Sequence, residues 1–402
     1  MNPLPTPAGT RPALHAETRA VHIPVAGLGA ARPVSMPIYQ TSAFAFDDPD
    51  ALAAALASPD GGYGYTRYAN PTTRALEDAL ADLEGGAAAL ATASGSAATA
   101  VALLSTLRPG DHLIAQRRLY GGTVALLARL ADSHGIEVSF LSGAELAELA
   151  AVVRPASRLL YLETIANPTA WVGDLPALLA AGSAAGLTCV VDNTFATPLL
   201  CRPIEHGADI VVHSATKYLG GHDDITLGVA VFGESDQHHL GWQRAVELGV
   251  TADPFASWLA IRGLKTLPLR MRRHCENAGF LAARLTAHPA VSAVHYPGLP
   301  ADPGHSHAVR FLSGFGGVLA FELTGGREAG RSFMTAVRLA QVAASLGGTE
   351  TLVLHPATTS HARLDPAELR AAGIGEGLIR VSAGLEHPDD LWADFEQALA
   401  SC

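Results

Sequence analysis

The stretch TCVVDNTFATPLLCRPIEHGADIVVHSATKY, residues 188–218, contains two short apolar runs that each end in polar residues. The first run, TCVV, leads into Asp192, and the second, DIVVH, leads into a segment that reaches Lys217. Short apolar runs bounded by turn residues are typical of buried strands. Because ligands bind beyond the carboxyl ends of strands in an open α/β sheet, the stretch predicts an acid and a lysine at one ligand-binding edge.

More apolar runs alternate with helical patterns in the same part of the chain. The strand-like runs cover residues 111–116, 138–141, 158–165, 188–194, 209–213 and 228–233. Between several of them lie helical patterns, such as those of residues 145–153 and 175–186. This alternation predicts an α/β fold with a mainly parallel sheet that is covered by helices on both faces.

The two ends of the chain differ from this alternating middle. Residues 1–70 are rich in proline, glycine and aromatic residues and are predicted to be irregular, and a helix is predicted from Pro71 to the glycines at 85–86. After residue 265, helical patterns cover 270–289 and 388–399, and half-buried strands are predicted in 316–326 and 378–387. We therefore predict an N-terminal arm (1–70), a large domain (71–264) and a smaller α+β domain (265–402).

Composition excludes several classes of function. The 402 residues are 49% hydrophobic, which is enough for a large core. The 27 basic and 38 acidic side chains give a net charge of −11 without a basic block, so no nucleic-acid partner is expected. The four cysteines have no metal-ligand spacing and are too few for a disulfide framework, which predicts a reducing, cytoplasmic location and no metal site.

Two segments need attention as targeting or membrane signals. The N-terminal residues MNPLPTPAGTRPALHAE lack the apolar core of a secretory signal peptide. The uncharged segment Gly85–Leu107 is long enough to span a bilayer. Its alanine, serine, threonine and glycine content is weakly hydrophobic, so we expect a buried helix of the α/β domain and no membrane partner.

Three polar features predict the cofactor. The segment ASGSA, residues 93–97, lies at the start of a predicted helix, where backbone N–H groups bind phosphate well. A lysine beside an apolar wall can lose its proton and form a Schiff base. A carboxylate opposite a pyridine nitrogen keeps that nitrogen protonated and makes the ring an electron sink. Together, a phosphate cradle, Asp192 and Lys217 predict pyridoxal 5'-phosphate (PLP).

The chain resembles the Cys/Met-metabolism family of PLP-dependent enzymes from about Thr18 to Leu399. This family comprises cystathionine γ-synthases, cystathionine γ-lyases, methionine γ-lyases and O-acylhomoserine sulfhydrylases. The motifs that carry the resemblance are YTRYANPT (65–72), LYGGT (119–123), ETIANP (163–168), VVDNTFATP (190–198), HSATKYLGGH (213–222), SLGGTETLVLHPA (345–357) and LIRVSAGLEH (378–387). The resemblance implies the PLP-dependent transferase fold type I, which is aspartate-aminotransferase-like, and a homotetramer that is a dimer of dimers with shared active sites.

The resemblance also implies roles for individual residues. Lys217 would bind the cofactor covalently and move protons, and Asp192 would pair with the pyridine nitrogen. Tyr120 would stack on the ring and serve as acid or base near the leaving group, and Asn167 would lie near the ring hydroxyl. The phosphate would be held by the backbone of Gly95 and Ser96, by the hydroxyls of Ser214 and Thr216, and by Tyr65 and Arg67 of the neighbouring subunit. The substrate would be bound by Arg380, Ser345 and Tyr65, with Arg380 forming a bidentate pair with the substrate carboxylate.

Most of these residues have a structural alternative. Lys217 could be a solvated strand end, Asp192 a helix N-cap, and Tyr120 a core aromatic with a hydrated hydroxyl. Tyr65 and Arg67 could belong to a surface loop. The motif context favours the functional reading in each case. For His222, a structural role in a turn is preferred to catalysis, and Asp223 and Asp224 are expected to be turn and hydrogen-bonding residues.

The implied reaction begins with removal of the Cα proton by Lys217, and Tyr120 then helps a group at Cγ to leave. The intermediate either releases a 2-oxo acid and ammonia (γ-elimination) or takes up a nucleophile (γ-replacement). We expect γ-elimination on an L-amino acid, as in methionine γ-lyases, with γ-replacement as the alternative. A non-catalytic protein on the same scaffold is a further alternative. A nicotinamide-dependent reductase is disfavoured because no G-x-G-x-x-G follows the first strand.

Four positions depart from the pattern of the family. Ala344 replaces the glutamate that cystathionine enzymes commonly carry, so a distal ammonium has no partner there. Gly122 replaces the cysteine of well-known methionine γ-lyases. Ser96 stands where methionine is usual, and Asp223 where a small residue is usual. We expect Asp223 to be the first position to test for substrate preference.

Overall fold

The computed structural model contains two sheets with helices packed on them, and it describes residues 14–25, 31, 33–142, 145–359 and 366–402. The strands are β1 (Ala88–Thr92), β2 (His112–Gln116), β3 (Glu137–Leu141), β4 (Ser157–Glu163), β5 (Thr188–Asp192), β6 (Ile210–His213), β7 (Gly228–Phe232), β8 (Val291–His295), β9 (Val318–Leu323), β10 (Gln341–Val342), β11 (Leu352–Leu354) and β12 (Leu378–Ser382). The helices are α1 (Ala16–Val21), α2 (Pro49–Ala57), α3 (Pro71–Glu84), α4 (Gly95–Thr106), α5 (Gly121–His134), α6 (Leu146–Val152), α7 (Leu175–Ala184), α8 (Thr197–Leu200), α9 (Ser235–Leu248), α10 (Pro254–Leu264), α11 (Leu267–Thr286), α12 (His305–Phe311), α13 (Gly326–Ala336), α14 (Pro366–Ala371) and α15 (Pro388–Leu399).

The larger sheet has the strand order β1-β7-β6-β5-β4-β2-β3. Strand β7 runs antiparallel to both of its neighbours, and the remaining pairs are parallel. This confirms the predicted mainly parallel sheet. As a consequence, β1, β2, β4, β5 and β6 all end at the same edge, and the polar residues that follow them meet there.

Both faces of this sheet are buried, which explains why its strands read as apolar runs rather than as alternating ones. Val191 and Leu160 belong to the core on one face, and the adjacent Val190 and Tyr161 belong to the core on the other. Successive side chains of a strand point to opposite faces, so each strand needs apolar residues at nearly every position.

The smaller sheet has the order β10-β11-β12-β9-β8 and lies in the last part of the chain. Its core includes the rings of Phe321, Phe333 and Phe395, which pack edge to face with centroids 5.3 and 5.4 Å apart. Strand β12 pairs with β9 and β11, so Arg380 lies on an inner strand of the sheet.

Two of the sequence predictions are wrong. The segment Gly85–Leu107 is not one buried helix, because it contains strand β1, a turn, and only then helix α4. Residues 1–70 are not wholly irregular, because α1 and α2 lie there. Helix α2 begins with the sequence Asp48-Pro49, in which the Asp48 carboxylate accepts a hydrogen bond from the backbone N–H of Asp50. An N-cap aspartate followed by proline is a helix start that the proline-rich composition concealed.

Within the described residues, no helix combines the length and the apolar character that a membrane crossing requires. Residues 1–13, for which the sequence predicts no signal peptide, lie outside the described residues, as do residues 26–30 and 32 of the predicted arm.

Candidate active site

A cavity of about 230 Å³ lies at the edge where the parallel strands end. Its wall includes residues from the loops after β1, β2, β4, β5 and β6, together with Ala344, Ser345 and Arg380 from the last part of the chain. The predicted site residues that line it are Gly95, Ser96, Tyr120, Asn167, Asp192, Ser214, Thr216, Lys217, Ser345 and Arg380. The fold therefore brings ten of the twelve predicted residues together.

Asp192 and Glu163 end the adjacent strands β5 and β4 and are register partners. The backbone N–H of Thr194 donates to Asp192 Oδ1 at 2.9 Å. Burial raises the pKa of Asp192, and burial together with the negative charge of Asp192 raises the pKa of Glu163 well above its usual range. A nearby cation would oppose this effect for Asp192. Helix α8 begins only at Thr197, so the N-cap alternative for Asp192 is wrong.

Glu163 is a site residue that the sequence reasoning did not identify. Its Oε1 accepts a hydrogen bond from the backbone N–H of Tyr120 at 2.7 Å, and its Oε2 accepts one from the backbone N–H of Asn167 at 2.9 Å. A single carboxylate therefore joins the two loops that carry Tyr120 and Asn167. The motif ETIANP contained the signal, because its first residue is a carboxylate at the end of a buried strand.

A buried hydrogen-bonded pair of titratable side chains was also missed. His213 and Glu84 are both fully buried, and His213 Nε2 lies 2.6 Å from Glu84 Oε1. The same carboxylate oxygen accepts a hydrogen bond from Asn193 Nδ2 at 2.8 Å. The positive charge that His213 carries when protonated lowers the pKa of Asp192. His213 is the last residue of β6 and Glu84 the last of α3, and the histidine that precedes the SATKY motif was the only signal of the pair in the sequence.

Lys217 lies in the cavity wall, largely withdrawn from solvent, so the solvated strand-end alternative is wrong. Its Nζ donates a hydrogen bond to Ser345 Oγ at 3.0 Å. Burial and the positive charge of Arg380 lower the pKa of Lys217, and Asp223 opposes them. A lysine with a lowered pKa is more often neutral and nucleophilic, as a covalent cofactor ligand must be.

Arg380 is only 4% exposed. Its Nη1 donates to Asn167 Oδ1 at 3.1 Å, and its Nη2 donates to the backbone oxygen of Ser345 at 2.7 Å. The buried Nε has no hydrogen-bond partner, and no carboxylate of the described residues forms an ion pair with the guanidinium. Burial lowers the pKa of Arg380 to about 10. A buried cation without a counterion costs several kcal/mol (about 3–5), so this one fits an anionic ligand.

The loop after β1 and the loop after β6 meet at the N-terminus of α4. The Ser94 hydroxyl accepts a hydrogen bond from the backbone N–H of Ala97 and caps the helix. Gly95 leaves no room for a side chain, because a Cβ there would lie 2.6 Å from the Cβ of Ser214. The Thr216 hydroxyl donates to the backbone oxygen of Leu227 at 3.1 Å, so its proton is already engaged.

Tyr120 is 45% exposed, which excludes the core-aromatic alternative. Its ring lies over Gly122, where an added Cβ would be 2.4 Å from the ring atom Cε1. The ring can therefore occupy this position at the cavity wall only because residue 122 is a glycine.

Tyr65 and Arg67 do not line this cavity. Both are exposed and line a separate groove, and Arg67 Nη1 donates to the backbone oxygen of Val246 at 2.8 Å. The Arg67 guanidinium also lies 5.0 Å from the centre of the Tyr68 ring. Within one chain, the two residues thus belong to a surface loop, and their predicted place in a neighbouring subunit's site stays a prediction.

The residues around the cavity fit a phosphorylated pyridine aldehyde. Lys217 offers an amine of lowered pKa, which could bond to the aldehyde. Burial raises the pKa of Asp192, so a cation such as a protonated pyridine nitrogen would stabilise its carboxylate. The N-terminus of α4 offers backbone N–H groups to a phosphate. Arg380, whose Nε has no hydrogen-bond partner, remains for a second anion, such as the carboxylate of an amino acid.

Comparisons with known proteins identify the family of the chain. The model of a family described as "Cys/Met metabolism PLP-dependent enzyme" matches residues 17–400. The chain is 45% identical to an L-methionine gamma-lyase of Pseudomonas deceptionensis over 384 residues, which are 95% of this chain and 96% of that protein. It is 41% identical to an O-succinylhomoserine sulfhydrylase of Pseudomonas aeruginosa, over 90% of each chain.

A solved structure supports the fold. The crystal structure of cystathionine gamma synthase from Xanthomonas oryzae pv. oryzae, in complex with aminoacrylate and cysteine, matches with a TM-score of 0.90 at 37% identity. The match covers 97% of this chain and 98% of that one, so it includes both sheets. The predicted fold type is thereby confirmed. The chain belongs to the Cys/Met-metabolism family of PLP-dependent enzymes.

Proposed function

We propose that the protein catalyses γ-elimination on an L-amino acid that carries a leaving group at Cγ. The observation that carries the proposal is the single cavity in which Lys217, Asp192 and Tyr120 face the unpaired buried cation Arg380. Amine, carboxylate, phenol and guanidinium are the groups that such a reaction needs to move protons and to hold an amino acid. The similarity to L-methionine gamma-lyases supports the same assignment.

The chain's own residues divide the work of the reaction. Bound PLP supplies an electron sink for the negative charge that develops at Cα. Asp192 keeps the ring nitrogen protonated. Arg380 binds the substrate carboxylate through its fork of N–H groups, and its contacts with Asn167 and Ser345 fix the plane of that fork. The phosphate contacts of Gly95, Ser96, Ser214 and Thr216, and of Tyr65 and Arg67 from a neighbouring subunit, are part of the proposal. For Thr216, the contact requires its hydroxyl proton to turn from the backbone oxygen of Leu227 to the phosphate.

Lys217 and Tyr120 move the protons. The Lys217 amine takes the proton from Cα, gives that proton up again and then takes one from Cβ, which requires it to be neutral when it is released from the cofactor. The lowered pKa of Lys217 favours that state. The Tyr120 hydroxyl, at the open side of the cavity, donates a proton to the departing group at Cγ. Water then completes the release of a 2-oxo acid and ammonia.

The cavity wall supports a substrate with an uncharged γ-substituent. Ala344 lines the cavity and offers no negative charge to a distal ammonium such as that of cystathionine. The similarity to an O-succinylhomoserine sulfhydrylase favours γ-replacement as the second candidate. In that reaction, a thiol or sulfide takes the place of the leaving group.

A panel of γ-substituted amino acids distinguishes the two candidates. Methionine, homocysteine, O-acylhomoserines, cystathionine and γ-halo analogues are each incubated with the PLP-loaded enzyme, with and without sulfide. Formation of a 2-oxo acid without sulfide supports γ-elimination. A new thiol amino acid that forms only with sulfide assigns the protein to γ-replacement instead.

Substitution of Lys217 tests the chemical assignment itself. We expect Lys217→Ala to lower kcat by about a thousandfold or more, because both proton transfers lose their base. The change should also abolish the visible absorbance of lysine-bound cofactor. Lys265→Ala is the matched control, since the chain has no other lysine. Near wild-type turnover by Lys217→Ala would overturn the assignment.

The assembly and the division of the chain complete the proposal. The exposed positions of Tyr65 and Arg67, outside the cavity of their own chain, support a site shared between subunits in a homotetramer. We propose a cytoplasmic location, which the free cysteines among the described residues support. An arm (1–70), a large domain (71–264) and a small domain (265–402) remain the proposed division, supported by the two separate sheets.

A further inference from the structure

Asp223 lies at the end of a short hydrogen-bonded chain that begins at Lys217. Lys217 Nζ donates to Ser345 Oγ at 3.0 Å, and Ser345 Oγ donates to Asp223 Oδ1 at 3.3 Å. Ser345 is thus both acceptor and donor, and its hydroxyl proton points toward a carboxylate. These bonds connect the loop after β6 with the segment before β11, which is more than 120 residues away in the sequence.

The backbone around Asp223 is shaped for this contact. Asp223 has a φ of 55°, in the left-handed region that aspartate tolerates better than most residues. Its carboxylate lies against Gly348, where a Cβ would be only 1.6 Å from Oδ2. A side chain at position 348 would therefore expel the carboxylate from its place beside Ser345.

The charged groups around Lys217 give its contact with Ser345 and Asp223 an electrostatic effect on the lysine. Burial and the positive charge of Arg380 on β12 both lower the pKa of Lys217. The negative charge of the Asp223 carboxylate acts in the opposite direction and raises the pKa of Lys217. Asp192 at the end of β5, Glu163 at the end of β4 and the Tyr120 phenol also line the cavity.

We propose that Asp223 is a positioning residue that acts through the Ser345 hydroxyl to hold the side-chain nitrogen of Lys217 in the cavity. The role rests on the proposed function of Lys217 as the base of the reaction. When the lysine is released from the cofactor and takes up the Cα proton, the resulting ammonium donates to Ser345, and the Asp223 charge stabilises it. The neighbouring Asp224, which has no such contact, plays no part in this chain.

The chain offers a direct measurement, because Lys217 and Lys265 are its only lysines. The full-length protein, freed of cofactor, is acylated over a range of pH, and the extent of labelling of each lysine is read by peptide mass spectrometry. Lys265 serves as the internal reference. In Asp223→Asn we expect the labelling midpoint of Lys217 to shift to lower pH by about half a unit to one unit, because the ammonium loses a stabilising charge.

A second readout uses the PLP-loaded enzyme. The pH midpoint of the visible absorbance of lysine-bound cofactor should shift in the same direction in Asp223→Asn. Asp224→Asn removes the same charge from the adjacent position and should leave both midpoints unchanged. If Asp223→Asn does not fold, Asp223→Gly provides the same test, because glycine adopts a positive φ without strain.

A double-mutant cycle tests whether Ser345 transmits the effect. In a Ser345→Ala background, Asp223→Asn should shift the Lys217 midpoint by less than half as much as in the wild-type background. Equal midpoints for Asp223→Asn and wild type, or equal shifts for the Asp223 and Asp224 variants, would overturn the proposal. An undiminished shift in Ser345→Ala would also overturn it.

Failure of the proposed function gives a different pattern. If the substrate panel yields no turnover while the Lys217 midpoint still moves in Asp223→Asn, the positioning role stands and the γ-elimination assignment fails. If turnover occurs and the midpoint does not move, only the role of Asp223 is lost.

Discussion

The tyrosine at the cavity mouth depends on a residue that has no side chain. The ring of Tyr120 occupies the space that a Cβ of Gly122 would take, with 2.4 Å between that Cβ and the ring atom Cε1. Real Cβ contacts are not this short, so a substituted chain must move the ring. Because Tyr120 is half exposed, its ring can move without unfolding the protein.

We therefore predict that Gly122→Ala lowers kcat by about tenfold to a hundredfold, as a misplacement of about 1 Å does in other sites. The unfolding midpoint should change little. The measurement is steady-state kinetics of 2-oxo acid formation, compared in wild-type and Tyr120→Phe backgrounds. A loss of the same size in both backgrounds would show that Gly122 acts on something other than the Tyr120 hydroxyl.

Local patterns predicted candidate chemical residues but not the contacts that hold those residues in place. Asp192 follows an apolar run directly and Lys217 lies four positions after the end of another, so their place at the edge where the strands end could be predicted. Asp223 was predicted to be a turn and hydrogen-bonding residue. It has a positive φ and accepts a hydrogen bond, but the donor, Ser345, is 122 residues away. No local pattern encodes a contact between segments so far apart.

At the scale of elements, the carboxyl end of β4 organises two loops. Glu163 uses one oxygen for the loop of Tyr120 and the other for the loop of Asn167. Asn167 in turn accepts a hydrogen bond from Arg380 of β12. One buried carboxylate thus connects the strand end to residues on both sides of the cavity.

Glu163→Gln should disturb this connection without changing the size of the side chain. Glutamine keeps one acceptor and turns an NH₂ group toward the second backbone N–H, so one bond is lost and two donors face each other. We expect the free energy of unfolding to fall by about 1–3 kcal/mol. We also expect kcat/KM to fall by about tenfold or more, because both loops carry site residues.

The measurements are urea unfolding and steady-state kinetics, with Glu137→Gln at the exposed start of β3 as the matched control. If kcat/KM is unchanged in Glu163→Gln while stability falls, the carboxylate serves the fold alone and does not position the site.

At the scale of the whole molecule, a buried histidine lies between the two sheets. His274 of α11 contacts the ring of Tyr218, next to Lys217, and its Nδ1–H donates to the backbone oxygen of Ala383 after β12 at 2.7 Å. Burial lowers the pKa of His274 to about 4. The folded protein therefore keeps this imidazole neutral at a pH where the unfolded chain protonates it.

The sign of the pH dependence follows from this difference. An unfolded histidine has a pKa of about 6.5, so the unfolded state gains protons first as the pH falls. The contribution of the neutral, buried His274 to the free energy of unfolding is complete above about pH 6.5 and is lost between about pH 6.5 and 4. A difference of about 2.5 pKa units corresponds to about 3 kcal/mol.

We predict that His274→Asn reduces the loss of unfolding free energy between pH 7 and pH 4 by about 3 kcal/mol relative to wild type. Asparagine can still donate to the Ala383 oxygen from its amide, so the fold is retained. Urea unfolding at several pH values measures the difference, with His134→Asn at the exposed end of α5 as the control. Parallel stability curves for His274→Asn and wild type would contradict the prediction.

Part of this protein is determined by its sequence alone. Six of the seven strands of the larger sheet, its mainly parallel topology, and the acid and lysine beyond the strand ends follow from apolar periodicity, because these features depend on neighbouring residues. The family motifs added the proposed roles of Tyr120 and Arg380. In Gly85–Leu107 the same approach failed, since an uncharged run of small residues has no period that separates a strand from a helix.

Tertiary structure alone decided how the site is held together. Arg380 meets Asn167 across 213 residues, and Lys217 meets Ser345 across 128. The dual role of Glu163 and the buried pair of His213 and Glu84 likewise exist only in the folded chain. The physical reason is that hydrogen bonds and burial depend on distances in space. Packing brings together segments that are far apart in the sequence, and no local pattern in either segment predicts the other.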